Sequence, residues 1–98
     1  MSSALYPVAA AEAAAPFARF SLRAIAEPGV MPRVLELFAK RGMVPCNWHS
    51  ATGGADRRVL TIDLQVGGLD EHTVEYVANC MRGITGVEAV VTAPAGSG

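Results

Sequence analysis

Hydrophobic residues in this chain change their spacing several times between Phe17 and Ala93, and each change marks an element. From Phe17 to Ala26, Ala18, Phe20, Leu22 and Ala24 alternate with Arg19, Ser21 and Arg23, the two-residue period of a half-buried strand. From Pro28 to Arg41 the period lengthens. Met31, Val34, Leu35 and Phe38 fall at i, i+3, i+4 and i+7, with Arg33, Glu36 and Lys40 towards water, which predicts an amphipathic helix. Pro28 suits the first helical position, Pro32 is tolerated in or just past the first turn, and Gly42 is a natural C-terminal stop. Strand patterns return over Met43 to Ser50 and Arg57 to Val66, joined by Ala-Thr-Gly-Gly-Ala-Asp, whose paired glycines suit a hairpin. In the later strand Leu60, Ile62, Leu64 and Val66 face a core opposite Thr61, Asp63 and Gln65. A second helix is predicted from Asp70, a fitting N-cap, to Arg82, with Val74, Val77, Ala78 and Met81 as its stripe and Gly83 at its end. Gly86 to Ala93 supplies a last strand. The order β-α-β-β-α-β predicts a ferredoxin-like α+β domain: a four-stranded antiparallel sheet with both helices on one face.

Composition narrows what such a domain can do. Ninety-eight residues, 51% of them apolar, suffice for one core and one domain. A net charge of −1 gives no electrostatic footprint for nucleic acid or an anionic membrane. Arg19, Arg23 and Glu27 interrupt the longest candidate for a membrane span. Two cysteines, Cys46 and Cys80, are too few for a disulfide framework, which points to the reducing cytoplasm. Residues 1–16 are alanine-rich, broken by Pro7 and Pro16, and lack the basic start of a secretory signal. They read as a flexible arm, residues 94–98 as a flexible tail, and residues 17–93 as the folded unit.

Candidate chemistry is sparse. Cys46 and His49 lie three apart on a predicted strand and so point to opposite faces, which argues against a shared metal. Cys46 shares a parity with Val44 and Trp48 and reads as packing; Cys80 reads as a small hydrophobe, His72 as a solvated side chain. Trp48 suits either the core or an interface. Asp63 has no evident catalytic partner, and no nucleophile or acid–base pair can be located, so neither an enzyme nor a cofactor is expected. The first strand-to-helix loop lacks the paired cysteines a copper carrier needs. The central strands lack the aromatics of an RNA reader. What the loop Ala26-Glu27-Pro28-Gly29-Val30-Met31-Pro32-Arg33 does offer is backbone, with a glycine where a helix begins. A ligand carboxylate placed there would meet free N–H groups and the positive end of the helix dipole.

Glu27-Pro28-Gly29-Val30, followed by Arg-Val-Leu-Glu-Leu-Phe-Ala-Lys-Arg-Gly-Met, resembles the ACT-domain family over residues 17–93, and within it the small regulatory subunits of acetohydroxyacid synthase. The resemblance implies a non-catalytic regulatory module that pairs with a second copy. It also implies that an amino acid or similar metabolite binds where one copy's strand-to-helix loop meets its neighbour. Glu27, Pro28, Gly29, Val30, Met31 and Asn47 are the ligand-binding residues implied, with Gly29 admitting the ligand, Val30 and Met31 bordering its side chain and Glu27 near its ammonium. The valine-responsive small subunits carry an asparagine before the turn and another opening the strand after the helix. Here those places hold Ala26 and Val44, and Asn47 serves only if the register differs. The alternative is a ligand-independent assembly subunit docking on a catalytic chain such as acetohydroxyacid synthase.

Overall fold

A computed structural model describes residues 17–94. The arm expected at 1–16 and the tail at 94–98 lie outside the described residues, save Pro94, the last residue of a strand. The elements are β1 (Phe17–Ile25), α1 (Val30–Lys40), β2 (Asn47–Gly53), β3 (Val59–Gly67), α2 (Glu71–Arg82) and β4 (Val87–Pro94). The strands form one antiparallel sheet in the order β2-β3-β1-β4. This is the βαββαβ ferredoxin-like fold that the changing period predicts.

The alternation in β1 and β3 builds the core directly. Ala18, Phe20, Leu22 and Ala24 lie opposite Val66, Leu64, Ile62 and Leu60 in register, and all eight are buried. The helices close over that face with Val30, Val34 and Phe38 from α1 and Val77, Ala78 and Met81 from α2. The Phe20 and Phe38 rings meet edge to face, centroids 6.1 Å apart, the geometry their quadrupoles favour. Asp70 caps α2 as expected, its carboxylate accepting the Thr73 N–H at 2.7 Å.

Four expectations need correction. The apolar stripe of α1 differs at one edge from the predicted one: Leu35 is 46% exposed, and Val30 takes its place in the core with no exposure at all. Val34 and Phe38 belong to both sets, so the stripe keeps its centre and only its edge moves, from Leu35 to Val30. Strand β2 begins at Asn47 instead of Met43 and runs on to Gly53. The reason is the exit from α1. Gly42 adopts φ +68° and the Met43 N–H bonds back to the Phe38 carbonyl at 2.9 Å, so the chain is still leaving the helix there, and Pro45 has no N–H for a ladder. Val44 is accordingly 81% exposed. Cys46 is exposed rather than packed, its thiol donating to the Gln65 carbonyl at 3.4 Å. The turn to β3 is likewise displaced, falling at 54–58 with Gly54 at φ +87°.

Candidate functional site

The two helices begin differently. Helix α2 has a capping aspartate and Glu71 in its first turn, whereas α1 has Gly29 at its N-cap, no side-chain cap and no acid in its first turn. The positive end of α2 is thus already neutralised by its own sequence, and that of α1 is not.

Each donor at the start of α1 can be followed. Pro28 and Pro32 have none. The Val30 N–H closes the Pro28–Gly29 turn onto the Glu27 carbonyl at 3.2 Å, and the Arg33 N–H makes the first helical bond, to Gly29, at 3.3 Å. The Gly29 and Met31 N–H groups meet no acceptor among the described residues. Helix geometry leaves such first-turn donors without intrahelical partners.

Neighbouring elements lock this turn in place. The Ile25 N–H bonds to the Gly86 carbonyl at 2.8 Å and the Ala26 N–H to the Arg58 carbonyl at 2.9 Å. Gly86, at φ +98°, lies so close to α1 that a Cβ added there would come within 3.0 Å of Val30 Cγ2. The end of β1, the start of β3 and the turn before β4 therefore converge on the first turn of α1.

Gly29 itself needs no special backbone, with φ −80° and ψ −9°. What its missing side chain leaves open is occupied by the Arg33 guanidinium, 3.1–3.3 Å from where a Cβ would stand. Arg33 enters no ion pair among the described residues, so it is a free cation beside the two free N–H groups. Sequence reasoning missed this residue; its only signal is the four-residue spacing from Gly29, one helical turn.

The other implied site residues are placed as follows. Glu27 is exposed, its N–H turned back on the Ile25 carbonyl at 2.8 Å. Met31 is half-buried against the core, and Val30 is fully buried, so its side chain faces away from any ligand outside the turn. Asn47 does open β2, but at the far end of the sheet. It pairs with Gln65 whereas Ile25 pairs with Val59, and six residues of strand separate those rows by about 20 Å. One protomer does not bring Asn47 to the α1 turn.

Among the described residues no three His, Cys, Asp or Glu side chains are grouped to hold a metal. No helix among them is long and apolar enough to cross a membrane.

A family model described as an ACT-like domain matches residues 11–97. No curated protein sequence matches the chain. Similar solved structures include the ACT domain of the GTP pyrophosphokinase of Chlorobium tepidum, at 13% identity and TM-score 0.66, covering 79% of this chain and 96% of that one. The regulatory subunit of aspartate kinase from Thermus flavus is 18% identical with TM-score 0.61, the match covering 82% of this chain and 52% of that one. A homoserine dehydrogenase from Thiobacillus denitrificans is 18% identical with TM-score 0.65, over 85% of this chain but 18% of the dehydrogenase. At these identities the likeness is one of fold.

Proposed function

The chain belongs to the ACT-like domain family, and from that membership we propose that it is a non-catalytic regulatory module which binds an amino acid and passes the event to a metabolic enzyme. The observation that carries the reading is the uncapped start of α1. Two free N–H groups, the helix dipole and the Arg33 guanidinium converge on one exposed spot, a combination suited to a carboxylate. Glu27, exposed one residue before the Pro28–Gly29 turn, is the proposed partner of the ammonium.

A second copy completes the proposed seat. Asn47 opens β2, where the valine-responsive small subunits that the sequence resembles carry an asparagine, yet it is about 20 Å from the α1 turn of its own chain. It can contribute only from a neighbour. Strand β2 is an edge of the sheet among the described residues, and its outer row of backbone groups pairs with none of them. The exposed Leu35 and Val44, on α1 and the loop leading to β2, give that side apolar surface to bury. A homodimer joined there is the arrangement proposed.

The same exposed Leu35 and Val44 also favour a second reading, an assembly subunit that docks on a catalytic chain such as acetohydroxyacid synthase without a ligand. Calorimetric titration with each proteinogenic amino acid, together with a pull-down from the source cell, separates the two. Saturable binding of one amino acid supports the sensor. Capture of a synthase catalytic chain with no amino acid bound at any concentration supports the assembly subunit.

A further inference from the structure

The core reaches the surface at the end of the sheet opposite the α1 turn. Phe17 and Ala18 at the start of β1, Thr92 near the end of β4, and Leu69 and Val74 around the start of α2 line a groove there of about 470 Å³, with Glu71 and Glu75 as its acids. Leu69 and Val74 pack against the core yet stay half-buried. No described residue fills the groove.

The chain itself supplies an occupant. Residues 1–16 lead directly into Phe17, which lines the groove, so this segment sets out from the groove's own wall. The match to the ACT-like family takes in residues 11–16 along with the strands and helices. Residues 7–15 read Pro-Val-Ala-Ala-Ala-Glu-Ala-Ala-Ala, with Pro16 after them. Alanine is the best helix former, proline suits the first helical position, and a second proline ends the run. Nine residues are too few to hold a helix alone in water, so the segment needs a surface to pack on.

Charge and length fit that surface. Glu12 carries the same sign as Glu71 and Glu75 and must point away from them, which turns Pro7, Ala10 and Ala14, at i, i+3 and i+7, towards the groove. A nine-residue helix is about 14 Å long, enough to cross the first two turns of α2, about 11 Å. We propose that residues 7–15 seat as a helix in the groove of their own copy and close that end of the core. The seat is remote from the α1 turn and does not rest on the reading of it.

The test follows backbone and methyl resonances of the full chain, of a variant lacking residues 1–15, of Ala14→Glu and of Glu12→Gln. Nuclear Overhauser contacts should join the Ala10 and Ala14 methyls to Leu69 and Val74 in the full chain. In a sample mixing labelled and unlabelled copies, they should stay within one copy. Removing residues 1–15, or Ala14→Glu, should abolish them and shift the Leu69, Val74 and Thr92 resonances. Either change should also speed exchange of the Val74 N–H, bonded to the Asp70 carbonyl at 2.9 Å, by about tenfold or more. Glu12→Gln, on the outward side, should change none of these. Unaltered dispersion at the buried Phe20, Phe38 and Ile62 reports that the core survives in each variant. The proposal is overturned by a segment that makes no contact with the groove, by contacts only between copies, or by a co-purified molecule in the segment's place. Groove resonances that stay the same in Ala14→Glu would also overturn it.

Discussion

The rigidity of the α1 turn depends on one close contact, and a double-mutant cycle measures it. Val30 is fully buried, and an added Cβ on Gly86 would stand 3.0 Å from its Cγ2. Val30→Ala removes two buried methyl groups, at about 0.8 kcal/mol each, and with the cavity it leaves should cost about 2 kcal/mol. Gly86→Ala carries two costs. The backbone at φ +98° disfavours any L side chain by about 1 kcal/mol, and overpacking against Val30 adds about 1 more. Independent sites would therefore sum to about 4 kcal/mol. In the double variant the methyl groups that the added Cβ strikes are gone, so the overpacking part disappears and the sum should fall short by about 1 kcal/mol. Urea unfolding followed by the fluorescence of Trp48, the chain's one tryptophan and half-buried against the core, gives all four stabilities. The reasoning requires an unchanged m-value in each variant. Additivity within about 0.3 kcal/mol would refute it, because Val30 and Gly86 would then not be in contact.

Three further outcomes follow from the packing and the caps. Phe38→Ala removes a side chain that is 1% exposed and in edge-to-face contact with Phe20; thermal melts should show a loss of about 3–5 kcal/mol, the largest of any substitution in α1. The Thr73 N–H holds the Asp70 carboxyl below its ordinary pKa, with the Thr73 hydroxyl and His72 adding to the effect. A carboxyl depressed in the folded state stabilises above its unfolded pKa of about 4 and loses that contribution as pH falls through the lower folded value. Asp70→Ala should therefore be less stable than the native chain at neutral pH, and melts taken down the acid limb should show the two converging below about pH 4; a gap that stays constant with pH would rule out the ionised cap. Leu35→Ser, at an exposed apolar position, should leave the monomer's stability within about 0.5 kcal/mol yet weaken self-association in sedimentation, if α1 and β2 form the face between copies.

The fold was legible wherever one partner was enough to decide a pattern. β1 and β3 are central strands with one wet and one dry face, so their alternation survives in the sequence, and Asp70 announces α2 by side-chain chemistry. β2 is an edge strand whose inner positions are Trp48, Ser50 and Thr52, too polar to outvote Met43 and Val44, and nothing in sequence shows that Met43 still bonds back to α1. Which edge of the α1 stripe is buried was unreadable for a related reason: Val30 and Leu35 are both permitted by the period, and it is Val30 that lies against Gly86, brought in from the far end of the chain. At the candidate site the Pro-Gly turn was visible. Free backbone donors and the folded-back Arg33 were not, because neither is written in residue type.

The central claim, an amino acid held by the bare start of α1, is tested most directly by melting the native chain and Gly29→Asp with and without each amino acid. An aspartate at position 29 adds a negative charge to the helix N-terminus and lies four residues before Arg33, both favourable by about 0.3–1 kcal/mol. The free variant should therefore melt no lower than the native chain. The same charge repels a ligand carboxylate. A saturating ligand at about 100 times its dissociation constant stabilises the native chain by about 2.7 kcal/mol, a rise of several degrees for a domain of this size. The account predicts that rise for at least one amino acid with the native chain, and its loss in Gly29→Asp. An equal rise in both proteins, or none with the native chain for any amino acid, would contradict it.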